Sequence, residues 1–508
     1  MKVLLIVTLA ALLTPNPIFA QFGSSGNSED WWSRARNFES KFYIGKTDLP
    51  EDQAEALLKH MDAVFATYMQ FFSKVASKMR WKGSKAKLLL FAKKRDYMQT
   101  LSARFDTNGS GSWGMYLRSE RMLVGWRGDY SISEVKRLLQ HEGLHQAVHQ
   151  LFGDIPKWAN EGLAELFERG VVVDKKLVIG GFPLRDKKRL LKFHETNGLM
   201  PFDRFFLISG KEWSARVTAK DAESIYPQAW SLIDFLVYSE NRKYEKNFQM
   251  FLFGLSQGRP WEKAFTKAYG NINIGQMEEK WLKYIKNKNP TDYELTAKRL
   301  EFLGYGMLRL QEENNLPDSM NDLRLKLQQM NFTHVVEIED EEVELSSYDL
   351  KNYQIPHVQD GTVKGFILVD RKFRQPNRNT FNSNPSLLNI VTAGLEPNAL
   401  VLSWRRSKGK YNFQIEAKPS NMVRIKRNSQ TIEPKAGEGK NRDVAKHAKI
   451  NQKLRVWTSK SGDHKISAVF SKKQGDSIQL KKENGKIITV PIKKLSDDDQ
   501  TYLESILD

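Results

Sequence analysis

His141-Glu142-Gly143-Leu144-His145, followed shortly by Trp158-Ala159-Asn160-Glu161-Gly162, is the stretch on which the reading of the chain turns. On a helix, residues four apart lie one above the other on one face, so His141 and His145 offer two imidazoles to a single metal ion. Glu142 then falls beside that ion, where a carboxylate can take a proton from metal-bound water. H-E-x-x-H recurs by chance, so its surroundings must carry the reading. Ser131-Ile132-Ser133-Glu134 has the capping-box pattern that starts a helix. Val135, Leu138, Leu139, Leu144, Ala147, Val148 and Leu151 supply its apolar face, and Gly153 stops it. Pro156 suits the first turn of a second helix that runs to about Arg169, before Gly170. Two helices joined by so few residues pack antiparallel or steeply crossed, which brings Glu161 back to the histidine face.

A catalytic zinc takes three protein ligands and keeps a position open. His149 cannot share one ion with both His141 and His145, because eight helical positions span about 12 Å. Glu161 can, and a His-His-Glu set suits zinc. Glu165, one turn further, is positioned to hydrogen-bond a liganding imidazole and fix its tautomer.

HEGLHQ followed by PKWANEGLAELFE resembles the gluzincin metallopeptidases, and its second half resembles the W-x-x-E-G-x-A-E signature of peptidase-MA-like bacterial families. The resemblance covers residues 35–288 loosely and 131–169 tightly. It implies that His141, His145 and Glu161 bind Zn2+. It also implies that Glu142 is the general base of a zinc-activated water that hydrolyses a peptide or protein substrate. By the same analogy Tyr226, opening Tyr226-Pro227-Gln228-Ala229-Trp230, would donate to the transition-state oxyanion; the alternative is a tyrosine packed on the core. Gly114 to Tyr116 would lie near the edge strand that holds extended substrates.

The chain has 508 residues, net charge +19, mean hydropathy −0.54 and no cysteine. Disulfides, thiolate metal sites and a lipidated N-terminal cysteine are therefore excluded. Residues 1–20 have the features of a signal peptide: Lys2, an apolar core from Val3 to Leu13, and a cleavage site near Ala20. The expected location is outside the cytoplasm: periplasm, cell envelope or medium. More than half of the net positive charge falls in residues 401–508, which suggests an anionic surface polymer, a membrane or an acidic protein as partner, and no nucleic acid.

Glu51 to Met79 reads as a helix, Lys87 to Ala92 as a buried strand, and Met115 to Trp126 as a hairpin turning at Ser119-Glu120-Arg121. Residues 171–220 read as a loop and strand insertion. Helix resumes over Tyr226 to Ser239 and Trp261 to Lys286. Leu295 to Asn315 is an amphipathic helix, with strand-like runs at 334–345, 363–370 and 399–416 and a polar loop from Arg371 to Pro385. The acidic run Glu337 to Glu344 reads as a solvated strand. Residues 428–450 form a basic linker.

Arg455-Val456-Trp457-Thr458, Ala468-Val469-Phe470, Ile478 to Lys482 and Val490 to Ser496 resemble the first Sla-type homology domain, an SH3-like barrel that binds short peptide motifs and other proteins. Its strands are Arg455 to Thr458, Lys465 to Phe470, Ser477 to Lys482 and Ile487 to Val490, with Ser496 to Ile506 as a capping helix. Trp457 is either a ligand platform or barrel core.

The expected fold class is α+β. It comprises a mainly helical zincin-like domain with a small N-terminal sheet (31–288), an α+β region of unknown role (292–420) and the SH3-like barrel (452–508). The leading function is an exported zinc metallopeptidase with a C-terminal protein-binding module. The alternative is a non-catalytic envelope adaptor on a retired peptidase scaffold.

Overall fold

The computed structural model describes residues 30–75, 85–357 except 197, 220–221 and 240–241, then 365–369, 387–423, and 454–503 except 461–462, 475–476, 483–486, 498 and 501–502. The expected signal peptide, the polar loop after Arg371 and the basic linker lie outside these residues. The chain divides into two compact units, residues 1–426 and 427–508. The fold class is α+β, as the sequence leads one to expect.

The first unit opens with a short helix α1 (Trp31–Arg34) and the strands β1 (Arg36–Glu39) and β2 (Tyr43–Thr47). Helix α2 (Glu51–Phe72) buries Ala54, Leu57, Met61, Val64, Phe65, Tyr68 and Phe72, the helical stripe visible in the sequence. Strand β3 (Ala86–Phe91), helix α3 (Lys94–Phe105) and strands β4 (Gly114–Leu117) and β5 (Met122–Trp126) follow. The five strands form one sheet in the order β1-β2-β3-β5-β4. β2, β3 and β5 run parallel, and β4 pairs antiparallel with β5 as the sheet edge. The turn between β4 and β5 places Arg121 at φ 51°, a left-handed position.

One face of this sheet carries the long helix α4 (Ile132–Phe152). Gly114 and Gly125 let it approach: a Cβ at either would meet Leu138 at 3.1 Å or Leu139 at 3.4 Å. On the other face, Trp31, Phe91, Tyr97, Leu101 and Trp126 make a separate core. Helix α5 (Lys157–Glu168) follows α4 after a four-residue turn, and the hairpin β6 (Val171–Val173) and β7 (Lys176–Val178) comes next. The stretch expected to be loop and strand then holds three helices, α6 (Leu184–Glu195), α7 (Phe202–Phe205) and α8 (Gly210–Thr218). Helices α9 (Ala222–Tyr238), α10 (Glu245–Ser256), α11 (Trp261–Tyr269) and α12 (Ile274–Asn287) complete the helical part. Its core is aromatic, with Trp158, Trp230 and Trp281 fully buried.

Helix α13 (Tyr293–Glu312) begins a further layer with α14 (Met320–Gln329) and the hairpin β8 (Thr333–Ile338) and β9 (Glu341–Ser346). A four-stranded sheet, β10 (Gly365–Val369), β11 (Asn389–Ala393), β12 (Asn398–Ser407) and β13 (Lys410–Pro419), packs on α13 in strand order. The second unit is a four-stranded antiparallel meander of β14 (Leu454–Thr458), β15 (Lys465–Gln474), β16 (Ser477–Lys482) and β17 (Ile487–Pro491). Trp457 belongs to its core, 1% exposed, with its indole N–H donating to the Ala468 carbonyl at 2.9 Å.

Candidate metal centre

Helix α4 starts with the capping box read from the sequence: the Ser131 hydroxyl accepts from the Glu134 N–H, and the Glu134 carboxylate from the Ser131 N–H. Gly153 ends it at φ 70°. Helix α5 packs against both α4 and α9. It lies tight against α9 at Gly162, where a Cβ would stand 2.5 Å from the Ala229 carbonyl oxygen. That contact fixes the turn of α5 carrying Glu161.

The structure brings His141, His145 and Glu161 together, with one ligand atom of each lying within 4.8 Å of the others. Glu161 Oε2 is 3.5 Å from Nε2 of both His141 and His145. Each imidazole is held from behind. Nδ1 of His141 lies 2.9 Å from Glu168 Oε2, and Nδ1 of His145 lies 3.1 Å from Asn160 Oδ1. Both partners are acceptors there, so both Nδ1 atoms carry the proton and both Nε2 lone pairs face the carboxylate. Buried His141 Nε2 and Glu161 Oε2 have no hydrogen-bond partner among the described residues. Three acceptor atoms facing one another repel unless a cation or added protons lie between them.

Lys157, one turn before Glu161, donates to Glu161 Oε1 at 3.2 Å and leaves Oε2 to face the histidines. Burial alone would raise the Glu161 pKa, but His145 and His141, when protonated at Nε2, hold it with Lys157 well below the usual carboxylate range. Burial pushes the Glu142 carboxyl up, against the pull of His145 and His141. Glu142 is 1% exposed; its Oε2 accepts from the Tyr116 N–H at 3.1 Å, and its Oε1 has no hydrogen-bond partner among the described residues.

That Tyr116 contact locates the sheet edge. Trp126 N–H donates to the Trp113 carbonyl at 3.0 Å, and Tyr116 pairs opposite Leu123. Antiparallel pairing alternates, so Trp113, Met115 and Leu117 bond to β5, while Gly114 and Tyr116 turn their backbone groups outward. The open edge of β4 therefore runs past Glu142. The ligand set meets solvent mainly at His145, whose side chain is 11% exposed, against 1% for His141 and 3% for Glu161.

Three expectations need correction or refinement. Glu165 does not orient His141: its Oε1 is 3.9 Å from Nδ1, and its Oε2 is bound by Arg169 at 2.5 Å. Arg169 also bonds Asp186 at 3.0 Å. Glu168, three residues on, takes the orienting place, because α5 crosses α4 so that its last turn stands over His141. Tyr226 is buried in α9, edge-on to Trp213 at 5.4 Å. It shares the face of Ala229 and Ile233 that packs on Gly162. The acidic run is exposed, as expected, and adds a contact: Glu339 and Asp340 form the β8–β9 turn at φ 50° and 66°, and Asp340 accepts from Ser133 N–H and Oγ–H at 2.7 and 2.9 Å. Asn160, Lys157 and Glu168 were missed as site residues. The sequence signal was their spacing from Glu161 on one helix, which periodicity cannot convert into contacts with α4.

Residues 137–262, which contain His141, Glu142, His145 and Glu161, match the model of a protein family of unknown function (DUF1570). No curated protein matches the chain. Residues 446–508 match the model of SLA1 homology domain 1, so the C-terminal unit carries that domain.

Proposed function

We propose that the protein is an exported zinc-dependent peptidase whose C-terminal domain binds protein. The observation that carries the reading is the convergence of His141 Nε2, His145 Nε2 and Glu161 Oε2, with both imidazole Nδ1 atoms already bonded from behind. This donor set fits zinc, and His141, His145 and Glu161 would hold it. Bound there, zinc would supply a Lewis acid that polarises a carbonyl and acidifies water. An extended peptide would lie along β4 through the outward groups of Gly114 and the carbonyl of Tyr116. Glu142 Oε1 would take the proton of the attacking water and return it to the leaving nitrogen, while the Tyr116 N–H steadies Oε2. Tyr226 is proposed as an oxyanion donor on the strength of the resemblance alone. The secretory features of residues 1–20 support export. The C-terminal domain and the basic charge of residues 401–508 support attachment to a protein or anionic surface polymer.

Metal analysis of the purified protein together with a peptide-library assay tests the proposal. One zinc per chain, hydrolysis by the wild type, and retention of zinc with loss of hydrolysis in Glu142→Gln are expected. The near-complete burial of Glu142 favours a second reading, a metal-bearing scaffold that binds without turnover. Stoichiometric zinc with no cleavage of any peptide would establish that reading. Absence of zinc would reject both.

A further inference from the structure

The open edge of β4 runs past Glu142 toward the β4–β5 turn, and a second group of polar side chains gathers at that end. Gly114 and Tyr116 share the face of β4 that looks onto α4. A Cβ at Gly114 would meet Leu138, and the Tyr116 hydroxyl lies 2.9 Å from His149 Nδ1. His149 follows His145 by one turn on the same face of α4. The β4–β5 turn is tied down beside it. The Gln146 amide donates to the Arg121 carbonyl at 3.0 Å, and Arg118 forms an ion pair with Asp154 just past the end of α4.

This end of the edge carries a sign. Burial raises the Tyr116 pKa against the pull of Arg121 and Arg118; burial and the same two charges lower that of His149, which is therefore neutral at pH 7. A neutral imidazole carries one proton. The Tyr116 hydroxyl can donate to Nδ1 and leave that proton on Nε2, a donor turned away from the tyrosine. Arg118 is engaged by Asp154, whereas the Arg121 side chain is exposed and has no ion pair among the described residues. Its backbone is fixed all the same, at φ 51° with its carbonyl bound by Gln146. A left-handed turn position favours Gly, Asn or Asp, so the turn itself does not call for an arginine. We propose that this end of the β4 edge selects an acidic side chain on the peptide, whose carboxylate pairs with the Arg121 guanidinium and accepts from His149 Nε2–H. The proposal rests on the peptidase reading and narrows its substrate class to peptides or proteins with Asp or Glu near the scissile bond. An extended chain advances about 3.3 Å per residue, and only Tyr116 and Leu117 of β4 lie between the Glu142 contact and the turn, so the acidic residue stands within a few positions of the attacked carbonyl. Lysine or arginine at the same position would meet like charge.

Fluorescence anisotropy on the full-length Glu142→Gln protein, which binds without turnover, tests this. The probes are labelled host peptides of alanine and serine carrying a single Glu, Gln or Lys at each position in turn. At one position Glu should bind tighter than Gln by about fivefold, the worth of an exposed ion pair reinforced by a charge-assisted hydrogen bond, and Lys should bind more weakly than Gln. Arg121→Asp, added to the same protein, should reverse the order of Glu and Lys there and leave the other positions as they were. Equal binding of Glu and Gln at every position, a Glu preference that survives Arg121→Asp, or no saturable binding at millimolar peptide overturns the proposal. Should Arg121→Asp fail to fold, Arg121→Asn decides, since asparagine suits the left-handed φ: it should erase the preference, and a preference retained rejects the site. Failure of the peptidase reading looks different. Selective binding of the Glu peptide, with no cleavage of any peptide by the wild type, keeps the acidic subsite and rejects the peptidase; cleavage with no preference for Glu at any position does the reverse.

Discussion

Glu161 is asked to do two things with two oxygens. Oε2 faces both imidazoles, and Oε1 is bound by Lys157 at 3.2 Å. Lys157→Met would free Oε1 and leave the carboxylate able to rotate, so zinc affinity measured by chelator competition should fall by several-fold with the fold intact. Behind the ligands, Glu168 holds the His141 ring at 2.9 Å. Removing a carboxylate that orients a metal-binding histidine typically costs about 10- to 100-fold in metal affinity, and Glu168→Gln should lose affinity at the lower end of that range. Glu165→Gln makes the contrast. It should change zinc affinity little but lower the unfolding midpoint, because half-buried Arg169 would lose one of its two carboxylate partners, keeping Asp186 and the Glu165 backbone carbonyl. If Glu165→Gln weakened zinc more than Glu168→Gln, the assignment of the orienting carboxylate would be reversed.

The helices that carry the centre are held by contacts whose tolerance differs from place to place. A methyl at Gly162 would meet the Ala229 backbone oxygen at 2.5 Å and Ile233 at 2.7 Å. Backbone cannot yield as a side chain does, so Gly162→Ala should cost about 1–3 kcal/mol in chemical denaturation. Gly143→Ala, whose nearest neighbour is the flexible end of Met61 at 2.9 Å, should cost less. The α2–α4 contact carries a pH dependence. Gln140 donates its amide to the carbonyls of Phe167 and Glu168 at 2.8 and 3.1 Å, and its Oε1 meets His60 Nε2 at 2.6 Å. His60 Nε2 must therefore carry a proton and donate. Burial, helped by Lys136, pushes its pKa down to about 4 from 6.5. A base with a depressed folded pKa gives its full stability above the unfolded value and loses it as pH falls. Stability to urea should thus decline between pH 6.5 and about 4, and His60→Gln should flatten that slope.

At this scale the sequence was uneven. The capping box, Gly153 and Pro156 mark α4 and α5 because caps are local chemistry. Helices α6 to α8 were hidden in a stretch broken by Pro183, Gly198, Pro201 and Gly210, where each helix is short and its apolar face is completed only by its neighbours. The capping of α4 by Asp340, 207 residues from Ser133, was not readable from any local window.

Across the molecule, the proposed metal centre and the C-terminal domain rest on different cores. Residues 1–426 and 427–508 are separate compact units, and the second has its own core of Trp457, Ala468, Phe470, Ile478, Leu480, Leu495 and Leu503. The sequence separated them because the strand spacing after residue 452 is short and regular, whereas the helical part alternates long apolar faces. It left residues 292–420 without a role, and the structure supplies a partial one: the β8–β9 turn caps the helix that carries both histidines. That cap ties the middle layer to the centre through exposed groups, so Asp340→Ala should cost on the order of 1 kcal/mol, the usual loss of a helix cap. Removal of residues 427–508 should do neither harm. With its aromatic core and the Asp340 cap intact, the shortened chain should keep its zinc stoichiometry and its thermal midpoint. It should lose only the binding of protein or anionic polymer measured by pull-down from envelope extracts. A drop in zinc content on truncation would mean that the second unit takes part in the centre, and the division of labour argued from the two cores would fall.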